Sequence, residues 1–209
     1  MIPEERYRQG DVIQRVFQTP RGNDTITYYP FTTFSSIFRD DLKNSPLAQL
    51  FKEAFLGDHP NLEHSCSSYK NESMPKYKVV DCHNDNEEIR QLALDAPWRG
   101  MGRKQHDILQ DYFFNHDEHT IAYEIPVYGK ELNLSGHIDL IRLKDNKIQI
   151  VDFKPDKSRN PQKFANQLYN YLVLLKGQLE HLMKQTYRDD LFELIYFDDI
   201  ETKKIEFIT

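Results

Sequence analysis

Cysteine is nearly absent from this sequence: 209 residues hold only Cys66 and Cys82. Two thiols cannot ligate a four-thiolate zinc site or an iron–sulfur cluster, and these two are not spaced as a C-x-x-C pair. No disulfide framework is expected, and a reducing, intracellular (cytoplasmic) setting fits. Long apolar runs are missing too. None reaches the roughly 20 residues needed to span a bilayer, and the opening stretch MIPEERYRQGDVIQR lacks the apolar segment of a signal peptide. There is no internal repeat and no low-complexity tract. Nor is there an excess of positive charge. The net charge is −6, against the basic balance common in nucleic-acid binders. That sum decides little, because binding depends on where the cations sit.

What is present is an ordinary globular composition, 39% hydrophobic and 29% charged, in a chain long enough to bury a core. Residues 1–96 read as an N-terminal elaboration, mainly helical, that governs substrate access. Thr25–Tyr29 reads as a short strand and Ser45–Leu56 as a helix, with Ser45 at its cap and Pro46 in its first turn. Gly57–Lys76 reads as a loop and Glu87–Leu94 as a short helix. Tyr28, Tyr29, Phe31 and Phe34 are aromatic enough to stack on bases, but core packing is the simpler use for them.

Residues 97–209 read more clearly. A helix is expected over Arg99–Phe114, then three strands: Thr120–Tyr128, Glu131–Leu143 and Lys147–Phe153. A turn at Gly129-Lys130 separates the first two, and Asp145-Asn146 is a two-residue hairpin signal. A long helix follows from about Pro161 to Thr186, with Phe164, Leu168, Leu172, Leu175, Leu179 and Leu182 as one buried stripe. Strands over Leu191–Phe197 and Lys204–Ile208 close the chain. The order αβββαβ predicts an α/β fold, a central mixed sheet flanked by helices.

Strand side chains alternate faces, so Ile148, Ile150, Asp152 and Lys154 share one face, as do His137 and Asp139. The tight hairpin lets Asp139 and Asp152 approach each other. Two such carboxylates repel, and a divalent cation removes the conflict. Hard oxygen ligands suit Mg²⁺ or Mn²⁺, which can polarise a phosphoryl oxygen and activate a water. Lys154 adds a positive charge for a phosphate. An acid-x-Lys pair alone is more often a surface ion pair; the surrounding constellation distinguishes this one.

That constellation resembles the PD-(D/E)XK nuclease superfamily, and within it the RecB-like branch. Gly136-His-Ile-Asp139 resembles the glycine-x-Ile-Asp segment, Asp152-Phe-Lys154 the acid-x-Lys segment, and Gln167-Leu-Tyr-Asn-Tyr171 the Gln-x-x-x-Tyr motif on the next helix. Gly102-Arg-Lys-Gln-His106 resembles the branch's Gly-x-x-x-His motif, and Glu124 stands on the first strand, where many members carry Glu. The resemblance implies a restriction-endonuclease-like core and a metal-dependent deoxyribonuclease, an exonuclease acting on single-stranded or end-containing DNA with little sequence preference. It implies that Asp139, Asp152, His106 and the Phe153 backbone carbonyl ligate the metal. Lys154 becomes the catalytic lysine, and Glu124, Gln167 and Tyr171 complete the catalytic set. His106 as a helix-surface residue, Glu124 as a strand-face charge and Tyr171 as a packing residue are the plainer readings. The iron–sulfur cysteines of some relatives are missing, so no such cluster is expected, and Pro155 stands where many relatives have a small polar residue. Arg99, Arg103, Lys104, Lys157, Arg159 and Lys163 are candidate phosphate contacts, or else ordinary solvated charge. The alternative function is a non-catalytic nucleic-acid-binding module or an adaptor in a repair, replication or defence complex.

Overall fold

The computed structural model describes residues 62–82, 87–100, 105–154, 160–198 and 201–208, with the backbone of 13–19 and 22–28. The helix expected over Ser45–Leu56, and Phe31 and Phe34, lie outside the described residues. Strands β1 (Ile13–Thr19) and β2 (Gly22–Tyr28) form an antiparallel hairpin. Then follow β3 (His64–Ser65), β4 (Tyr77–Asp81), helices α1 (Glu87–Asp95) and α2 (Gln105–His116), β5 (Thr120–Gly129), β6 (Leu134–Lys144), β7 (Lys147–Phe153), α3 (Pro161–Met183), β8 (Phe192–Phe197) and β9 (Thr202–Phe207). The seven strands β3 to β9 make one mixed sheet in the order β3-β6-β7-β8-β9-β4, with β5 also paired to β6. This is the expected α/β architecture of restriction-endonuclease type. The described part of residues 1–96 contributes four strands and one helix, and two of those strands, β3 and β4, belong to the large sheet.

Local chemistry explains the clearest elements. Asp145 and Asn146 both adopt left-handed backbone, with φ of 51° and 61°, and close the β6–β7 hairpin in two residues. In α3, Asn160 caps the start by accepting from the Lys163 N–H at 3.1 Å, and Pro161 fits the first turn. Lys184 turns left-handed at φ 51° and ends the helix, so it stops at Met183 rather than Thr186. Phe164, Leu168, Leu172, Leu175 and Leu179 are buried as the stripe predicts.

Some boundaries differ from expectation. The helix expected over Arg99–Phe114 is described over Gln105–His116, while Arg99 and Gly100 lie in a turn and Gly100 has φ 78°. Strand β5 runs through Gly129, and the turn occupies residues 130–133. Asn133 is left-handed there (φ 48°), so β6 starts at Leu134 rather than Glu131. Helices cover both faces. Phe113 of α2 packs on Phe197, whereas Phe164 of α3 packs on the adjacent Tyr196, which points the opposite way. Among the described residues no helix is long and apolar enough to cross a membrane.

The site owes its place to a divided strand edge. One edge of β6 pairs with β5 along nearly its whole length. The other edge is shared: β3 takes Leu134 and Ser135, and β7 takes Leu140 to Lys144. Between them, residues 136–139 lie at a fork where β3 and β7 diverge.

Candidate active site

The β6–β7 ladder ends at the pair Leu140–Val151, and its next rung sets Asp139 against Asp152. There the strands part, and Asp139 Oδ2 fills the gap by accepting the Phe153 N–H at 2.8 Å. Asp152 is fully buried and Asp139 is 8% exposed. Lys154 is anchored by its own N–H, which donates to the Phe197 carbonyl at 2.9 Å. Its ammonium turns back to form an ion pair with Asp152 Oδ2 and lies 5.5 Å from the centre of the Phe164 ring. The expectation that Asp152 and Lys154 share a face is met.

Glu124 lies across from Asp139 in the β5–β6 register, bracketed by the pairs Tyr123–Leu140 and Ile125–Ile138. Its φ of 51° is strained for a non-glycine residue and irregular for a strand. Gln110 of α2 donates to Glu124 Oε1 at 2.6 Å. Gln110 was not expected at the site, although it stands four residues after His106 and so on the same helix face. The His106 Nδ1 is 3.6 Å from Asp139 Oδ2, and its ring packs 5.2 Å from Phe153. From α3, one amide nitrogen serves two partners: Gln167 Nε2 donates to the Tyr171 hydroxyl at 2.8 Å and reaches Asp152 Oδ1 at 3.3 Å. Tyr171 is buried (4% exposed).

Electrostatics follow from crowding acids in a dry place. Burial and the Asp139 charge push Asp152 up to about 7. Burial, then Asp139, pushes Glu124 up to about 8. Burial also raises Asp139. Burial lowers Lys154, but Asp152 and Asp139 outweigh it and hold the ammonium above its ordinary value. Three acids thus share one charged lysine, and they resist ionising together.

Other candidates are placed unevenly. His137 is half-buried on β6, across from Pro126. Arg99 is exposed, donates to the Leu94 carbonyl at 3.2 Å and lies over the Trp98 ring. Lys163 is exposed on the first turn of α3. Arg103, Lys104, Lys157 and Arg159, like Gly102 and Pro155, lie outside the described residues.

Whether this set suits a divalent cation can be judged from its donors. Among the described residues no three His, Cys, Asp or Glu side chains form a ready-made ligand cluster. Each acid instead rests on a protein group: Asp139 on the Phe153 N–H, Glu124 on Gln110, and Asp152 on Gln167 and Lys154. Asp152 Oδ2 is nevertheless a buried acceptor with no well-formed hydrogen bond, only the ion pair. One carboxylate oxygen without a hydrogen bond, two further acids that repel it and an imidazole alongside are donors that suit a hard divalent ion. The donor chemistry fits such an ion.

The family model of the PD-(D/E)XK nuclease superfamily matches residues 61–206, and the chain belongs to that superfamily. Its members are generally metal-dependent nucleases, so phosphodiester cleavage in nucleic acid is the chemistry this membership indicates. No curated protein and no solved structure matches the chain.

Proposed function

We propose that this chain is a RecB-like member of the superfamily: an exonuclease that hydrolyses single-stranded or end-containing DNA, using Mg²⁺ or Mn²⁺, with little sequence preference. The observation that carries this is the meeting of Asp139 and Asp152 on adjacent strands with the Lys154 ammonium against Asp152. The hydrogen-bonded Gln167–Tyr171 pair, and His106 beside Asp139, support the branch. Residues 97–209, completed by β3 and β4, form the catalytic core. The remaining N-terminal residues control substrate access.

Asp139, Asp152 and His106 would hold the cation. The Phe153 carbonyl joins them, because an extended residue directs its N–H and C=O to the same edge and the Phe153 N–H already faces Asp139. The cation would supply Lewis acidity to the scissile phosphate and make a water acidic enough to attack. Lys154, held charged by Asp152 and Asp139, would offer that charge to the phosphate. Glu124, held by Gln110, would orient that water or help hold a second cation, and Gln167 and Tyr171 hold Asp152 in place. Arg99, Arg103, Lys104, Lys157, Arg159 and Lys163 contact DNA phosphates, which makes binding salt-sensitive.

End-labelled single- and double-stranded DNA, incubated with either ion and with or without chelator, tests this reading. The wild-type chain is expected to shorten DNA from its ends only when metal is free. Lys154→Ala should slow cleavage about a hundredfold or more, the usual scale for losing a charge-stabilising group. A wild-type chain that binds DNA but leaves it intact with both ions would be a binding module instead.

A further inference from the structure

Residues 66–74 lie as a strap along α3, fastened by two asparagines one turn apart. Asn170 is fully buried, and its Nδ2 donates to the carbonyls of Cys66 at 3.0 Å and Tyr69 at 2.9 Å. Its Oδ1 accepts from Asn71 Nδ2 at 3.2 Å. Asn166 accepts the Asn71 N–H at 3.0 Å and donates to the Tyr69 carbonyl. A buried amide is tolerated only when its hydrogen bonds are met, and here both Nδ2 protons and the oxygen are used. Apolar packing could hold a strap without that demand. Polar fastening fixes one register of strap against helix.

The strap's far side meets the site. Cys66 takes its backbone partner from β6, donating its N–H to the Ser135 carbonyl at 2.9 Å, and so lies beside Gly136 at the fork. A Cβ at Gly136 would stand 2.7 Å from Tyr171 Cε1 and 2.8 Å from Cys66 Sγ. The Tyr171 ring therefore occupies a slot between the Cys66 turn and the bare backbone of β6, three residues before Asp139. Its hydroxyl holds Gln167, whose amide reaches Asp152. We infer that Asn170, Gly136 and the Cys66–Tyr69 turn are positioning residues: they fix the Tyr171 ring, which fixes the Gln167 amide that orients Asp152 for the cation. This inference rests on the metal-dependent reading above.

The test compares Asn170→Ala and Gly136→Ala with Leu179→Ala, a fully buried core residue two turns further along α3. Direct Mn²⁺ binding to the full chain is followed by electron paramagnetic resonance, beside metal-free thermal melting. All three variants should melt earlier. Only the first two should weaken Mn²⁺ binding, by about fivefold or more, toward the range seen when the groups supporting a ligand are lost. Should Asn170→Ala not fold, Gly136→Ala, which removes no hydrogen bond, decides alone. Unchanged Mn²⁺ affinity in the folded positioning variants overturns the inference, as does an equal loss in Leu179→Ala, which would make the effect one of general stability. A wild-type chain that binds no Mn²⁺ overturns instead the reading on which the inference rests.

Discussion

Three residues along β6 from Asp139, Arg142 anchors a second buried charged cluster, and the two obey opposite rules. Arg142 is fully buried and bidentate to Asp117, with Nε to Oδ2 at 2.6 Å and Nη2 to Oδ1 at 3.2 Å. It also reaches Gln149 at 2.6 Å and Glu88 at 3.2 Å. Burial would raise Asp117, but Arg142 and Thr120 outweigh it and hold the carboxyl below its usual value. At Asp139, Asp152 and Glu124 burial and mutual repulsion instead leave the acids raised. One cluster is complete without help and ties α1, the end of α2 and the β6–β7 hairpin together. The other keeps its acids in conflict, and on the proposed reading a guest cation would resolve it; stability withheld there is what leaves the site available for chemistry.

Removing one member from each cluster should separate these roles. Arg142→Met leaves Asp117 buried and unpaired, and should cost about 3–5 kcal/mol in denaturant unfolding. Retained stability would mean the cluster is not truly dry. At the site, Glu124→Gln should act the other way. The raised pKa of Glu124 means that folded-state stability is lost as pH rises through about 8. Above that pH, and with chelator present, Glu124→Gln should melt later than wild type, by about 1 kcal/mol. An earlier melt would show that the acids are not in conflict. The smallest effect belongs to the sheet surface, where Glu193 meets Gln149 at 2.9 Å, Lys204 at 2.9 Å and Lys147 at 3.0 Å. Against the cost of burial these partners hold its carboxyl down to about 2. The stability it adds is fully present above about 4.5 and lost as pH falls toward about 2. Glu193→Gln should therefore flatten the acid limb of a melting-temperature profile, and an unchanged limb would contradict the depressed value.

Sequence was most legible where a short stretch carries its own instruction. The Asp145-Asn146 turn, the Asn160-Pro161 cap and the leucine stripe of α3 each act within a few residues, and β7 has the expected ends. Strand β4 was not legible, because its pairing partner is β9, more than a hundred residues away. Strand β3 is two residues long and becomes a strand only because β6 has a vacant edge there. At the site, Asp152 and Lys154 stood out because charge at the end of an apolar strand is conspicuous, and Asp139 because the hairpin sets it against Asp152. Gln110, Asn166 and Asn170 carry no such mark, since an amide on a helix is usually solvated. Arg142 did leave a trace, a charge at an apolar-flanked strand position between Ile141 and Leu143, but its partner Asp117 lies beyond the reach of local pattern.

The hairpin also works as a measuring stick. Asp139 lies six residues before Asp145 (145 − 139), and Asp152 lies six after Asn146 (152 − 146). Equal arms bring the acids level, so one residue added to either arm would send one carboxylate past the other and out through the opposite surface of the sheet. Length, more than composition, is what this hairpin must keep if its two acids are to stay level.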